Sequence, residues 1–158
     1  MILLYTWLLI LLHLCVHEIG HAAAAHLIGV HVLSVKIGGG ETVFKAGKYA
    51  FALWMTGGYT EVSAEDLAEK GILQKLFFFE GGTMAGLLMQ LALPAVLDRF
   101  YAGISTAVFF VLLFTNHCPF LPGSDLSGFL SAVKNGRTAV KRHCADDKAN
   151  RANGKTAE

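Results

Sequence analysis

The chain has 158 residues, enough for one compact domain, and 54% of them are hydrophobic against 16% charged. Soluble domains carry about 25% charged residues, so this balance, with a mean hydropathy of +0.50, points to an integral membrane protein. A net charge of +1 gives nucleic-acid binding no electrostatic support, and three scattered cysteines, Cys15, Cys118 and Cys144, argue against a disulfide scaffold or a cysteine-based metal knuckle.

Residues 2–16 form an uncharged apolar run interrupted only by Thr6 and His13. The run lacks the basic start and small-residue cleavage site of a signal peptide. Apolar character resumes at Ala22–Ala25 and Leu27-Ile28, so one retained helix is expected over about 2–28, long enough to cross a bilayer with some tilt. Inside it lies His17-Glu18-Ile19-Gly20-His21, which fits H-E-x-x-H. In that motif two histidines bind zinc and the glutamate serves as general base. Residues four apart on a helix lie on one face, about 40° apart around the axis, so both imidazoles reach one ion. Glu18 then lies beside the metal, placed to take a proton from the attacking water. The motif starts about 24 Å along the helix, at hydrocarbon depth. Ionisable groups there are costly, which makes the cluster a functional site by default. His13, one turn earlier on the same face, reads as a packing or hydrogen-bonding residue.

After Gly29 the texture changes. Residues 32–37, 42–45, 49–55 and 59–62 read as short strands, with Gly38-Gly39-Gly40 breaking the first. They form a small β-rich insert over about 30–62, whose edge offers an extended segment a pairing partner. Ser63 reads as the N-cap, with Asp66 at the third helical position, of a short amphipathic helix to about Lys75. A second span follows at about 76–97, with Glu80 and the small residues Gly81 to Gly86, which let helices approach closely. Phe77-Phe78-Phe79 reads as a set of lipid-facing or interfacial anchors, and Pro94 kinks or ends the span. Asp98-Arg99-Phe100 reads as a tight polar turn, 101–115 as a third span, 116–123 as an irregular loop and 125–133 as a short helix.

The expected fold is therefore a mainly α membrane protein. It has three transmembrane helices plus a short C-terminal helix, with a small β-sheet between the first and second spans. Residues 1–133 form the membrane-embedded core, and 134–158 a polar basic tail, disordered at its end. Lys36, Lys45, Lys48, Lys70 and Lys75 lie between the first two spans and the tail is basic, whereas the opposite side carries only Arg99. The positive-inside rule makes insert and tail cytoplasmic and the N-terminus external, in a multi-pass protein of the cell membrane.

A catalytic zinc usually takes three protein ligands and keeps one position open. Asp125 is the best candidate for the third, because it follows the third span on the side where the first helix delivers the histidines. His117, His26, His31 and Glu80 compete, and spacing alone leaves the choice open.

At this point the chain resembles a known family, the site-2 proteases, over about residues 10–130. Four local features carry the resemblance in order: the HEIGH segment, Gly57-Gly58-Tyr59-Thr60-Glu61-Val62, the helix from Glu80 to Leu91, and the segment Asn116-His117-Cys118-Pro119-Phe120-Leu121-Pro122-Gly123-Ser124-Asp125. The segment from Gly57 to Val62 is similar to the family's GGY-type strand. The helix from Glu80 occupies the place of its Gly-Pro-x-x-Asn helix start, and the segment from Asn116 to Asp125 resembles its Asn-x-x-Pro … Asp-Gly motif. The resemblance implies a compact intramembrane metalloprotease core without accessory domains. It implies Zn2+ at His17, His21 and Asp125, with Glu18 as base and Asn116 positioning substrate or stabilising the oxyanion. The chain departs from the pattern in three places. Asn116 to Asp125 is one residue longer than usual, Leu126 follows Asp125 in place of glycine, and Thr83 and Gly86 stand at the proline and asparagine positions of the helix-start motif. The implied function is an intramembrane zinc endopeptidase acting in or near a transmembrane segment of a membrane-protein or signal-peptide-like substrate. The alternative is a catalytically inactive membrane homologue that binds or regulates. The lipid bilayer is the other expected partner; oligomeric state is not encoded in any motif.

Overall fold

A computed structural model describes residues 2–118, 120–121 and 124–135. The expected tail lies outside the described residues from position 136 onward, and Cys144 with it. The architecture is mostly helical with a small sheet. Three helices are long and apolar enough to cross a membrane: α1 (Ile2–Leu27), α3 (Ile72–Ala92, continued by a 3-10 turn at Leu93–Ala95) and α4 (Arg99–Asn116). Between α1 and α3 lie strands β1 (Val32–Ala46) and β2 (Tyr49–Val62) and the short helix α2 (Ala64–Glu69). Residues 125–135 form a further helix, α5.

Burial along α1 changes at His13. Before it, most large apolar side chains of the first two turns are exposed, Leu3 at 86% and Leu4 at 59%, with Leu9 the first to be buried. Such an outward apolar surface fits a lipid environment. From His13 onward one face is buried, carrying His17, Glu18, Gly20, His21, Ala24 and Ala25. The helix stops at Gly29, whose φ of 68° suits glycine. The amides of Gly29 and Val30 close onto the carbonyls of His26 and Ala25, satisfying the helix end.

The face of α1 at Gly20 meets α3 backbone to backbone. A Cβ placed on Gly20 would stand 2.5 Å from the Gly81 carbonyl oxygen, and one on Gly81 would stand 2.7 Å from the Ala24 methyl. Only small residues permit that approach. Helix α4 is tied in differently, by a buried polar chain across all three helices. His13 Nε2 donates to Ser105 Oγ at 2.9 Å, Ser105 Oγ to Gln90 Oε1 at 2.8 Å, Gln90 Nε2 to Thr106 Oγ1 at 2.7 Å, and Thr106 Oγ1 to the Ala102 carbonyl at 2.8 Å. His13 thus hydrogen-bonds within the bundle, and each hydroxyl in the chain both accepts and donates, as apolar surroundings favour.

The sheet is antiparallel and strongly bent. Val32 faces Val62 and Ile37 faces Gly58 at one end; Thr42 faces Ala52 and Ala46 faces Tyr49 at the other. Val35 and Ile37, two residues apart and so on one face, are buried against Leu14 and Ala22 of α1. The expected break at Gly38-Gly39-Gly40 does not occur. Gly38 and Gly40 take φ of 88° and 80°, which bends the strand while pairing continues, and the four expected short strands become two long ones.

Two boundaries move. The amphipathic helix expected to reach Lys75 ends at Glu69, because Lys70 is extended; α3 starts at Ile72, where the Gln74 side chain accepts the Gly71 amide at 3.0 Å. Asp98-Arg99-Phe100 is a helix start in place of a separate turn. Asp98 Oδ1 accepts the amides of Phe100 and Tyr101 at 3.0 Å each, so Arg99 and Phe100 already belong to α4. Ser63 caps α2 as expected, accepting the Asp66 amide at 3.2 Å.

Candidate metal centre

His17 and His21 leave α1 one turn apart, and their Nε2 atoms lie 3.0 Å from each other. Asp125, the first residue of α5, reaches them across 108 and 104 positions of chain: its Oδ2 stands 3.2 Å from His17 Nε2 and its Oδ1 3.3 Å from His21 Nε2. The three groups each offer one ligand atom, all within 4.8 Å of one another. Both imidazoles are buried, and the Asp125 side chain is 18% exposed.

The rings are held from behind. His21 Nδ1 donates to the Phe78 carbonyl at 2.8 Å, which leaves Nε2 as a bare lone pair turned toward Asp125. Gly82 of α3 backs onto both rings: a Cβ there would stand 2.6 Å from His17 Nδ1 and 2.6 Å from His21 Nε2. Glu18 is 4% exposed and faces the sheet. Thr60 Oγ1 lies 2.8 Å from Glu18 Oε2 and 3.1 Å from the Glu18 carbonyl oxygen, so one hydroxyl proton serves either acceptor. Gly58, two residues earlier on the same strand face, leaves room for the carboxylate: a Cβ there would stand 2.7 Å from Glu18 Oε1. Asn116, at the end of α4, places its Nδ2 3.1 Å from His17 Nε2. A cleft of about 690 Å³ opens between the glycine-rich bends of the sheet and the end of α4, and Glu18, Asn116 and Asp125 all line it.

All five residues singled out from sequence, His17, Glu18, His21, Asn116 and Asp125, therefore converge at one place. The competitors for the third position do not. His26 and His31 are exposed, and His31 lies near Asp66, 3.7 Å away. Glu80 and His117 pair with each other at 3.0 Å. Sequence reasoning missed Thr60, although its place two residues after Gly58 put both on one strand face. It also took Phe78 for an outward anchor. Phe78 is 4% exposed, its ring 5.6 Å from that of His21, while Phe79 packs on Phe129 of α5.

The cluster suits a cation. Electron-rich atoms at 3.0–3.3 Å repel one another unless a positive charge lies between them. Ligands about 2.0–2.2 Å from a tetrahedral zinc stand roughly 3.3–3.6 Å apart, a few tenths of an ångström more than these. Asp125 Oδ2 is buried without a hydrogen bond among the described residues, as a carboxylate oxygen set aside for a metal would be. Two imidazoles and a carboxylate beside an open cleft fit the donor set that catalytic zinc commonly takes. No curated protein matches the chain. The family model for peptidase family M50, by contrast, matches residues 5–147, most of the chain. With its three membrane-length helices and its His/His/Asp cluster, this membrane protein belongs to peptidase family M50, the site-2 protease family.

Proposed function

We propose that the protein is an intramembrane zinc endopeptidase, with His17, His21 and Asp125 as metal ligands and Glu18 as general base. The observation that carries this is the convergence of those ligand atoms within 4.8 Å at the head of a cleft that Glu18 also lines. Bound there, zinc supplies the Lewis acidity that polarises a peptide carbonyl and makes water nucleophilic at neutral pH. Glu18 accepts the proton of the attacking water and returns it to the leaving amine. Thr60, 2.8 Å from Oε2, orients the Glu18 carboxylate when its hydroxyl donates there. The Asn116 amide donates to the carbonyl oxygen as it gains negative charge. A transmembrane helix hides its carbonyls in its own hydrogen bonds, so the substrate must unwind locally. The glycine-walled cleft accepts an extended segment, with the sheet edge as pairing partner. We place the sheet and the tail on the cytoplasmic side of the cell membrane, from the lysine and arginine distribution.

The test uses purified protein reconstituted with single-span membrane peptides. Glu18→Gln should keep stoichiometric zinc and lose about 10²- to 10⁴-fold in cleavage, whereas Asp125→Ala should lose the zinc. Full zinc in Asp125→Ala would remove that residue from the site. The alternative reading, a binding homologue that keeps the fold, rests on Thr83 and Gly86 at the proline and asparagine positions of the α3 motif. It predicts that Glu18→Gln keeps the biological phenotype.

A further inference from the structure

Thr83 occupies the motif position where a proline would carry no polar group. A threonine inside a helix ordinarily turns its hydroxyl back onto a carbonyl of the preceding turn. Thr106 does so with Ala102 at 2.8 Å, and Thr115 with Val111 at 3.1 Å. Thr83 does not: its Oγ1 is buried with no hydrogen-bond partner among the described residues. An orphaned hydroxyl in a buried helix seam is costly and needs a partner.

The same seam contains a small cavity of about 10 Å³, lined by Thr83, His13, His17, Gly86, Phe109 and Asn116 among others. That is room for one water, and the lining offers several polar partners, which is what an internal water requires. His17 has a matching need. Its Nε2 faces Asp125, so in the neutral ligand form the proton sits on Nδ1. That nitrogen is turned to α3 at Gly82, immediately before Thr83, where there is no side chain to meet it. His21 is served differently, by the Phe78 carbonyl at 2.8 Å. His13 lines the cavity with its Nε2 proton committed to Ser105, so its Nδ1 is free to accept.

We infer that the cavity holds one ordered water that accepts the His17 Nδ1 proton and bonds the Thr83 hydroxyl. Thr83 is thereby a positioning residue for His17. The water fixes the His17 tautomer and ring plane as the Phe78 carbonyl fixes those of His21, and it joins the metal cluster to the polar chain that begins at His13. This inference rests on zinc binding as proposed above.

The experiment is zinc competition against a chelator, on the full chain in detergent, for wild type, Thr83→Val and Thr83→Ser. Loss of an outer partner typically costs 10- to 100-fold in metal affinity. Thr83→Val should therefore bind zinc about tenfold more weakly or worse, and Thr83→Ser should stay near wild type. The other readout is the ¹⁵N signal of the His17 Nδ1–H group in the zinc-loaded protein. Thr83→Val should shift it while the His21 Nδ1 signal, held by Phe78, stays in place. Wild-type affinity in Thr83→Val, or equal weakening in both variants, overturns the water bridge. A Thr83→Val protein in which both histidine signals move has lost its packing, and the serine variant then decides. Wild type that binds no zinc sinks the metalloprotease assignment itself; wild type that binds zinc with an indifferent Thr83→Val sinks only the bridge.

Discussion

The two walls of the metal cluster are built on opposite plans. On the α3 side, backbone meets backbone: Gly20 rests on Gly81, and Gly82 lies flush against both imidazoles. On the α4 and sheet side, contact runs through side chains: the His13–Ser105 bond, the Thr60–Glu18 bond and the Asn116 amide, with the Glu80–His117 pair joining α4 to α3. That side-chain wall also contains the large cleft. Close-packed backbone has no alternative arrangement nearby, whereas side-chain contacts can be made and broken at modest cost. His17 and His21 are thus backed by the close-packed wall, and the proposed substrate-facing groups, Glu18 and Asn116, by the wall of side-chain contacts.

The most damaging way to break this contrast is to thicken the rigid wall. In Gly82→Ala the new methyl would stand 2.6 Å from atoms of both rings. Overpacking of this kind costs roughly 1–3 kcal/mol before any effect on the site. Here the groups that must move are the ligands themselves. We expect Gly82→Ala to lose stoichiometric zinc and with it essentially all cleavage, measured by metal analysis and peptide proteolysis. A variant with full zinc and wild-type rate would show that the rings have more freedom than the packing allows.

A smaller effect is expected on the yielding wall at Thr60. Its hydroxyl holds a carboxylate, and a hydrogen bond to a charged group contributes about 1.5–3 kcal/mol. Thr60→Val should therefore keep its zinc and lose about 10- to 100-fold in kcat, with Thr60→Ser recovering most of it. Zinc loss in Thr60→Val would place Thr60 among the supports of the metal and erase the distinction between the walls.

What could be read from residues alone divides along the same lines. His17, Glu18 and His21 were legible because helix periodicity fixes their relation within five residues of chain. Ser63 was legible as a cap for a similarly local reason. The reach of Asp125 was not settled by spacing; it needed the family resemblance, because α4 and the following loop decide where α5 begins. Phe78 was misread for a physical reason. In a membrane the lipid is as apolar as the protein interior, so hydropathy does not distinguish a side chain facing out from one packed on His21. The glycine triplet from Gly38 to Gly40 was read as a stop, although positive φ at two of its members only turns the strand. Of the polar chain from His13 to Thr106 only His13 was legible, as a packing or hydrogen-bonding residue; its partners are common residues far apart in sequence.

The gentlest test lies where α3 meets the end of α4. His117 donates Nδ1 to the Leu113 carbonyl at 3.0 Å and turns Nε2 to Glu80 at 3.0 Å, so both ring nitrogens serve as donors only in the charged form. Partial burial works against that charge, but the bonds to Glu80 and Leu113 outweigh it, and the His117 pKa is raised above its usual value. A raised pKa contributes stability that is fully present below the unfolded value of about 6.5 and is lost as pH rises through the folded one. The pair is about one-third exposed, so solvent screening keeps the effect small. We expect Glu80→Gln to lower the melting temperature by about 1–2 °C at pH 5.5, below the unfolded pKa, with the difference vanishing near pH 9. Zinc content should be unchanged, because the pair ties two helices together without touching the ligands. An equal deficit at both pH values would mean that Glu80 acts through packing rather than through the charge on His117, and one contact would then move from the yielding wall to the rigid one.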